Sequence, residues 1–400
     1  MNILRKFGSS LPLQLITMII VIFLAGDYFP LGIKEFCYTI SVLIKDLLVL
    51  ALPYIIFAYL FSTLVALQNG AILFVVTLVT SVVVMNFLGL NIAYFVSGLL
   101  TEMSGLAPVH ADASRELMPM WKIPVPAIVS AVFKNEYGLV LGVLSGVGLG
   151  YLKVKELSEV SDRLKLGASF ILNKLFIPVV PFFILGFLLK MQHEGTLAYV
   201  LKQYGPVYLM IAGVQIVYMM TLFALGAKLN PKTWLEYLRN MLPPVITGVS
   251  TMSSAAALPF SLAAAEKNTR NPLIARSVIP STVNINLMGD SLGVPLMIIA
   301  TMVTFGIGIP PYSLFLTFAG YYVMYTFTVA AVPGATIIVM TPLIERLLGF
   351  NAEMVGLVTA LYILYDAFGT MMNVLGNGAF VVLFNRIFGQ MFSGKAVEAK

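Results

Sequence analysis

Charge is what this sequence has least of. Charged residues make up only 10% of its 400 positions, whereas soluble domains carry about 25%. Such a surface cannot keep a soluble enzyme, a nucleic-acid binder or a disordered chain in water. Cysteine occurs once, as Cys37, so no internal disulfide can staple a secreted domain. His110 and His193, the two histidines, lie far apart in polar connections and make no metal site. No ATP-binding motif is present, and no span sets a nucleophile beside a base, which argues against an intramembrane enzyme. In place of charge the chain has apolar residues, 59% of the total, and a mean hydropathy of +0.95. A polytopic, all-α membrane protein follows.

A span needs about 20 apolar residues. Candidates lie at 11–33, 38–67, 71–100, 123–152, 168–190 and 203–228. The first follows Arg5-Lys6 and resembles a signal peptide, but it lacks a small-residue cleavage site and is expected to be retained. Beyond Lys228 the pattern changes. Asn230 to Arg276 holds two stretches too short to span, on either side of Ser253-Ser-Ala-Ala-Ala-Leu-Pro259. A charge-free run from Ser291 to Ile344 is divided at Pro310-Pro311, and its second part is split at Val332-Pro-Gly-Ala335. The last block, 352–386, holds Asp366 deep within it. Basic residues collect on the cytoplasmic side. With both short-stretch regions re-entering rather than crossing, most Lys and Arg fall inside when both termini are cytoplasmic. The net charge of +6 is explained the same way and needs no polyanionic partner such as nucleic acid.

Short apolar stretches broken by small residues and proline point to a transporter binding site. Non-helical backbone survives at membrane depth only where it is buried in protein or lines a water-filled cavity. Four segments then concentrate chemistry: Ser253-Ser254, the stretch from Ser281 to Asp290, the stretch from Ala331 to Thr336, and the stretch from Asp366 to Asn377. In the last, Asp366, Thr370, Asn373 and Asn377 recur every three or four residues and share one helix face. An intramembrane acid is expensive and is a functional candidate by default. Asp290 is open among a second cavity acid, a proton carrier and a cap for a helix beginning at Ser291.

At these residues the chain resembles the dicarboxylate/amino acid:cation symporter family, to which the glutamate transporters belong. Ser253-Ser-Ala-Ala-Ala-Leu-Pro259 is similar to its first hairpin tip, Val332-Pro-Gly-Ala335 to its second, and Thr370-Met-Met-Asn-Val-Leu-Gly376 to its last helix. Leu43-Ile-Lys45 with Leu52-Pro53 is similar to its second span. The resemblance implies eight spans and two re-entrant hairpins. Residues 1–230 would be mainly scaffold and trimerisation spans, with the third span belonging to the transport domain. Residues 231–390 would form the transport core and 391–400 a cytoplasmic tail. It implies a homotrimer in a plasma or bacterial inner membrane and cation-coupled uptake of an amino acid or dicarboxylate by an elevator movement. It implies no cofactor beyond sodium or a proton as coupling ion.

The resemblance also assigns roles. Asp366 would receive a substrate ammonium, Thr370 and Asn373 would lie along the substrate, and Ser253 and Ser254 would meet its α-carboxylate. Val332 and Gly334 belong to the external gate. Thr282, Asn284 and Asn373 would lie near sodium sites, with Thr80 and Ser81 contributing to one. The chain departs from the family at four of these places. Two acids that bind cations are Asn286 and Asn377, a threonine is Met288, and the arginine that grips a side-chain carboxylate is Gly369. Without a bidentate guanidinium a second carboxylate has no obvious partner, so a neutral amino acid is favoured over a diacid. With two anionic ligands gone, Asp290 or Asp366 could carry a proton in place of some sodium. Two alternatives remain beside the symporter: an anion-permeable channel, and a non-transporting sensor-like relative.

Overall fold

The computed structural model describes residues 11–67, 72–104, 117–121, 135–150, 155–195, 197–329 and 334–393, and these form helices joined by short connections. Helix α1 is Leu11–Ala25, and α2 is Leu31–Leu67. Gly26–Tyr28 makes a single tight turn between them, before Pro30. The first apolar run therefore ends earlier than 33, and the second helix starts before 38. Hydropathy cannot see a turn built from Gly-Asp-Tyr-Phe-Pro. Helices α3 (Ile72–Ser104), α4 (Asn135–Gly150) and α5 (Lys155–Phe170) follow. A wider turn at Ile171–Phe176 leads into α6 (Ile177–His193), and α7 is Leu197–Gly226.

The second half opens with two helices joined back to back. Asn230 caps α8 (Pro231–Thr251) by accepting bonds from the Lys232 and Thr233 amides, and Pro231 supplies the first helical residue. Met252 ends α8 in the left-handed region, at φ 50°, and Ser253 caps α9 (Ser254–Thr269). Only two residues separate α8 from α9, and the two pack on each other as a hairpin. The Asn-Pro start recurs at Asn271-Pro272, which opens α10 (Pro272–Thr282). Residues 283–287 break that span, and α11 runs from Met288 to Thr304, three residues earlier than a start at Ser291. The second hairpin is α12 (Tyr312–Thr326) and α13 (Ala335–Leu348), again packed on each other. Helix α14, Ala352–Ser393, closes the fold. Among the described residues no strand occurs.

Burial separates helices that face lipid from those that face protein. Helix α11 is buried on every side except at Val303. Helix α3 is as apolar but turns Val84 and Phe95 outward, and α7 exposes Leu209 and Val217. An apolar helix exposed in this way belongs in a bilayer. Helix α14 packs against both hairpins, α10, α11, α6 and α7, whereas α2 packs mainly on α4, α5 and α6. Where α11 crosses α14 the backbones touch. A β-carbon on Gly289 would lie 2.8 Å from the Asn373 amide nitrogen, and one on Gly376 would lie 2.9 Å from the Met288 β-carbon. Such close approach is characteristic of helix contacts in membranes, where small residues let van der Waals packing act.

Candidate functional site

The break in the α10–α11 span, the tip of the first hairpin and Val329 and Thr336 of the second hairpin meet at one cavity on the polar face of α14. Its lining includes Met252, Ser254, Asn284, Asp290, Thr336, Tyr362, Asp366, Thr370 and Asn373. Two of these are carboxylates, and among the described residues that line it none is a lysine, arginine or histidine.

The backbone freed by the break is satisfied by side-chain amides from its neighbours. Asn86 of α3 donates to the Ile285 carbonyl at 2.8 Å. Asn377 of α14 donates to the Asn286 carbonyl at 3.2 Å. Gln215 of α7 donates to the Gly289 carbonyl at 2.6 Å and to the Tyr365 hydroxyl at 2.5 Å. The first two bonds answer carbonyls of the interrupted backbone, and Gln215 adds a donor at the first turn of α11. Three helices are thereby tied to the broken segment. Several buried side-chain oxygens here have no protein donor, among them Asn86 Oδ1, Asn284 Oδ1 and Asn286 Oδ1. These are neutral oxygens of the kind that can coordinate a hard cation.

Asp366 and Asp290 are linked by one hydroxyl. Tyr362 donates toward Asp290 Oδ2 at 3.1 Å and toward Asp366 Oδ1 at 3.4 Å. Asp366 Oδ2 accepts the Gly334 amide at 2.8 Å, and Thr370 lies 3.5 Å from its Oδ1. Gly334 has φ 78°, a left-handed conformation that glycine adopts without strain, and this aims its N–H at the carboxylate. Asp290 Oδ2 also accepts the Thr336 hydroxyl at 2.6 Å, and the Asp290 amide donates to Asn373 Oδ1 at 3.1 Å. Asp290 stands in the first turn of α11, but its carboxylate bonds to α13 and α14 and does not cap its own helix. Two carboxylates that share one hydroxyl partner repel each other when both are charged. A positive group or a proton is therefore welcome between them.

The remaining residues singled out by sequence fall around this cavity at varying depth. Ser254 lines it, while Ser253 uses its hydroxyl to cap α9 through the Ala256 amide at 3.3 Å. Asn286 and Asn377 pair with each other at 3.3 Å, behind the lining. Gly369 is buried against Asp290 and the Tyr365 ring, and Met288 against Gly376. Thr282 and Ser81 turn their hydroxyls back to their own helices, onto Val278 and Thr77, and Thr80 is exposed. Val332 lies outside the described residues. Tyr362, Gln215 and Asn86 were not singled out by sequence. Tyr362 had a signal, since it lies one turn before Asp366 on the same face. Gln215 and Asn86 are isolated amides in apolar spans, which more often only join neighbouring helices.

Comparison with known proteins gives one result at the level of a family and none at the level of an individual, for no curated protein matches the chain. Residues 11–387 match the sodium:dicarboxylate symporter family. The match spans nearly the whole described structure, including both hairpins, the broken span and the polar face of α14. The chain belongs to the sodium:dicarboxylate symporter family, and it is a membrane transport protein with that family's glutamate-transporter fold, not an enzyme.

Proposed function

We propose that the chain is a secondary active symporter for a small amino acid whose ammonium group is received by Asp366. The observation that carries this reading is the cavity's charge: two carboxylates, bridged by Tyr362, with no basic residue in the lining. A dicarboxylate would meet like charge there, whereas an ammonium would find acceptors. Ser254, in the first turn of α9, and Asn373 supply hydrogen-bonding groups for a carboxylate at the other end, where a helix N-terminus favours negative charge. The donor-free amide oxygens at the break support coupling to sodium, and the paired acids support a proton in place of the lost anionic ligands.

An elevator cycle goes with this reading. The two hairpins, α10 and α11 pack around α14, and α4, α5 and α6 each pack on α2, which suits a transport core in residues 231–390 moving against a scaffold drawn mainly from 1–230. Tyr94 of α3 donates to Pro310 at 3.0 Å, and Tyr312 donates to Asn91 at 2.8 Å, which supports grouping α3 with the core. Homotrimeric assembly and both termini on the cytoplasmic side of a plasma or bacterial inner membrane complete the proposal and rest on the family.

The test is uptake by proteoliposomes of labelled amino acids and dicarboxylates under a sodium gradient, a pH gradient, and neither. Gradient-driven accumulation of an amine-bearing substrate is expected, falling by about 100-fold in Asp366→Asn, the loss of a charged hydrogen-bonding partner. Dicarboxylate uptake that survives Asp366→Asn would overturn the amine assignment. A substrate-independent current would favour a channel.

A further inference from the structure

The proposed function gives Asp366 an amine and leaves Asp290 open between a proton and a ligand of its own. Its geometry favours the ligand. Asp290 is 2% exposed, and while Oδ2 has two hydroxyl donors, Oδ1 meets no hydrogen-bond donor among the described residues. A buried carboxylate oxygen without a donor is costly to keep unless something comes to meet it. Oδ1 faces α14 at Gly369, where a β-carbon would lie only 3.1 Å away. Tyr365 presses on the same glycine from the other side, with its ring carbon 2.5 Å from that β-carbon position. Among the described residues no basic side chain is bonded to either oxygen of this carboxylate. Because the Tyr362 hydroxyl touches both carboxylates, a molecule held on Asp366 is within reach of Asp290.

We infer that Asp290 is a second ammonium-recognising group of the substrate cavity, and that the substrate class is a short diamino acid whose α-ammonium meets Asp366 and whose side-chain ammonium meets Asp290. This rests on the amine reading of Asp366. Chemistry separates it from two other occupants. A proton on Oδ1 would turn a partnerless acceptor into a partnerless donor, whereas an ammonium brings donors to both oxygens and answers the charge. A metal ion would need several oxygens around it, but Oδ1 faces Gly369, which brings no side-chain oxygen. The diamino substrate's single carboxylate would then lie toward Ser254 and the first turn of α9.

The experiment is ligand binding to the full chain purified in detergent, by calorimetry and by shift of the melting temperature. The probes are diaminopropionate, diaminobutyrate, ornithine and lysine, against alanine, 2-aminobutyrate, homoserine, aspartate and succinate. At least one diamino acid is expected to bind wild type about 10- to 100-fold more tightly than the neutral analogue of its length, the range of a hydrogen bond to a charged group. In Asp290→Asn that ratio should fall toward one, and in Asp366→Asn both ligands should weaken. Equal wild-type affinity for diamino and neutral analogues would overturn the diamino class while leaving the amine site standing, and needs no variant to fold. Ligand binding untouched by Asp366→Asn, or a preference for succinate, would overturn the amine reading itself.

Discussion

Gly289→Val should leave little folded protein. The glycine sits in the first turn of α11, where a β-carbon would lie 2.7 Å from the Met372 β-carbon, 2.8 Å from the Asn373 nitrogen and 2.9 Å from the Gly369 oxygen. Two of these atoms are backbone of α14, so neither helix can yield by turning a rotamer. Overpacking usually costs 1–3 kcal/mol because side chains shift to absorb it. Here the helices themselves must part, and the cost should be at least about 3 kcal/mol by the same reasoning. Parting them also stretches the Asp290–Asn373 and Gln215–Gly289 bonds. Gly320→Val is the matched control, because a β-carbon there meets nothing within 4 Å. Fluorescence-detected gel filtration of tagged variants reads the difference. A Gly289→Val protein that elutes and melts like wild type would refute the backbone crossing.

Lys190→Met should be nearly as damaging, for an electrostatic reason. Lys190, with its side chain 3% exposed, bonds to Glu194, to Glu353 at 2.7 Å and to the Leu117 carbonyl at 3.2 Å, over the Tyr38 ring. Its removal strands Glu194, 4% exposed, beside a second acid that keeps some contact with water at 28%. Breaking a buried ion pair by deleting one partner costs about 3–5 kcal/mol, mostly from the charge left behind. The lower end applies, given the exposure of Glu353. Neutralising all three, with Lys190→Met, Glu194→Gln and Glu353→Gln together, should recover most of the loss. Thermal melts of wild type, Lys190→Met and the triple variant decide the matter. A triple variant no more stable than Lys190→Met would show that packing, not charge, was lost.

How far the sequence could be read depended on whether the signal was local. The hairpins were legible because two apolar runs are too short and are broken by Ser253-Ser254 and by Pro333-Gly334. The stripe from Asp366 to Asn377 was legible because helical spacing puts its members on one face. The turn at Gly26–Tyr28 was not, since hydropathy averages across it. Nor was α5, whose polar, amphipathic Lys155–Phe170 sequence precedes the apolar run expected from 168. The break at 283–287 read only as a polar patch, because what satisfies its backbone is a pair of distant amides, Asn86 and Asn377, that bond the carbonyls of Ile285 and Asn286. Tyr362 shows the limit most plainly. An aromatic residue in an apolar span looks like packing until the second carboxylate, 72 positions earlier, is seen against its hydroxyl.

The Gly334–Asp366 bond sets a toll on entry that depends on size. One carboxylate oxygen already holds a backbone N–H of the second hairpin. An ammonium that claims that oxygen must share it with the N–H or displace it, a bond to a charged acceptor worth about 1.5–3 kcal/mol, and displacement unmoors the start of α13. A smaller cation that uses only Oδ1 leaves the mooring in place. Two compounds of equal affinity can therefore differ in kind: the first loosens the hairpin as it settles, and the second occupies the cavity with the hairpin still tied down. In such a site tightness of binding and fitness to be carried are separate properties, and the best inhibitors would be found among the ligands that bind without breaking that single hydrogen bond.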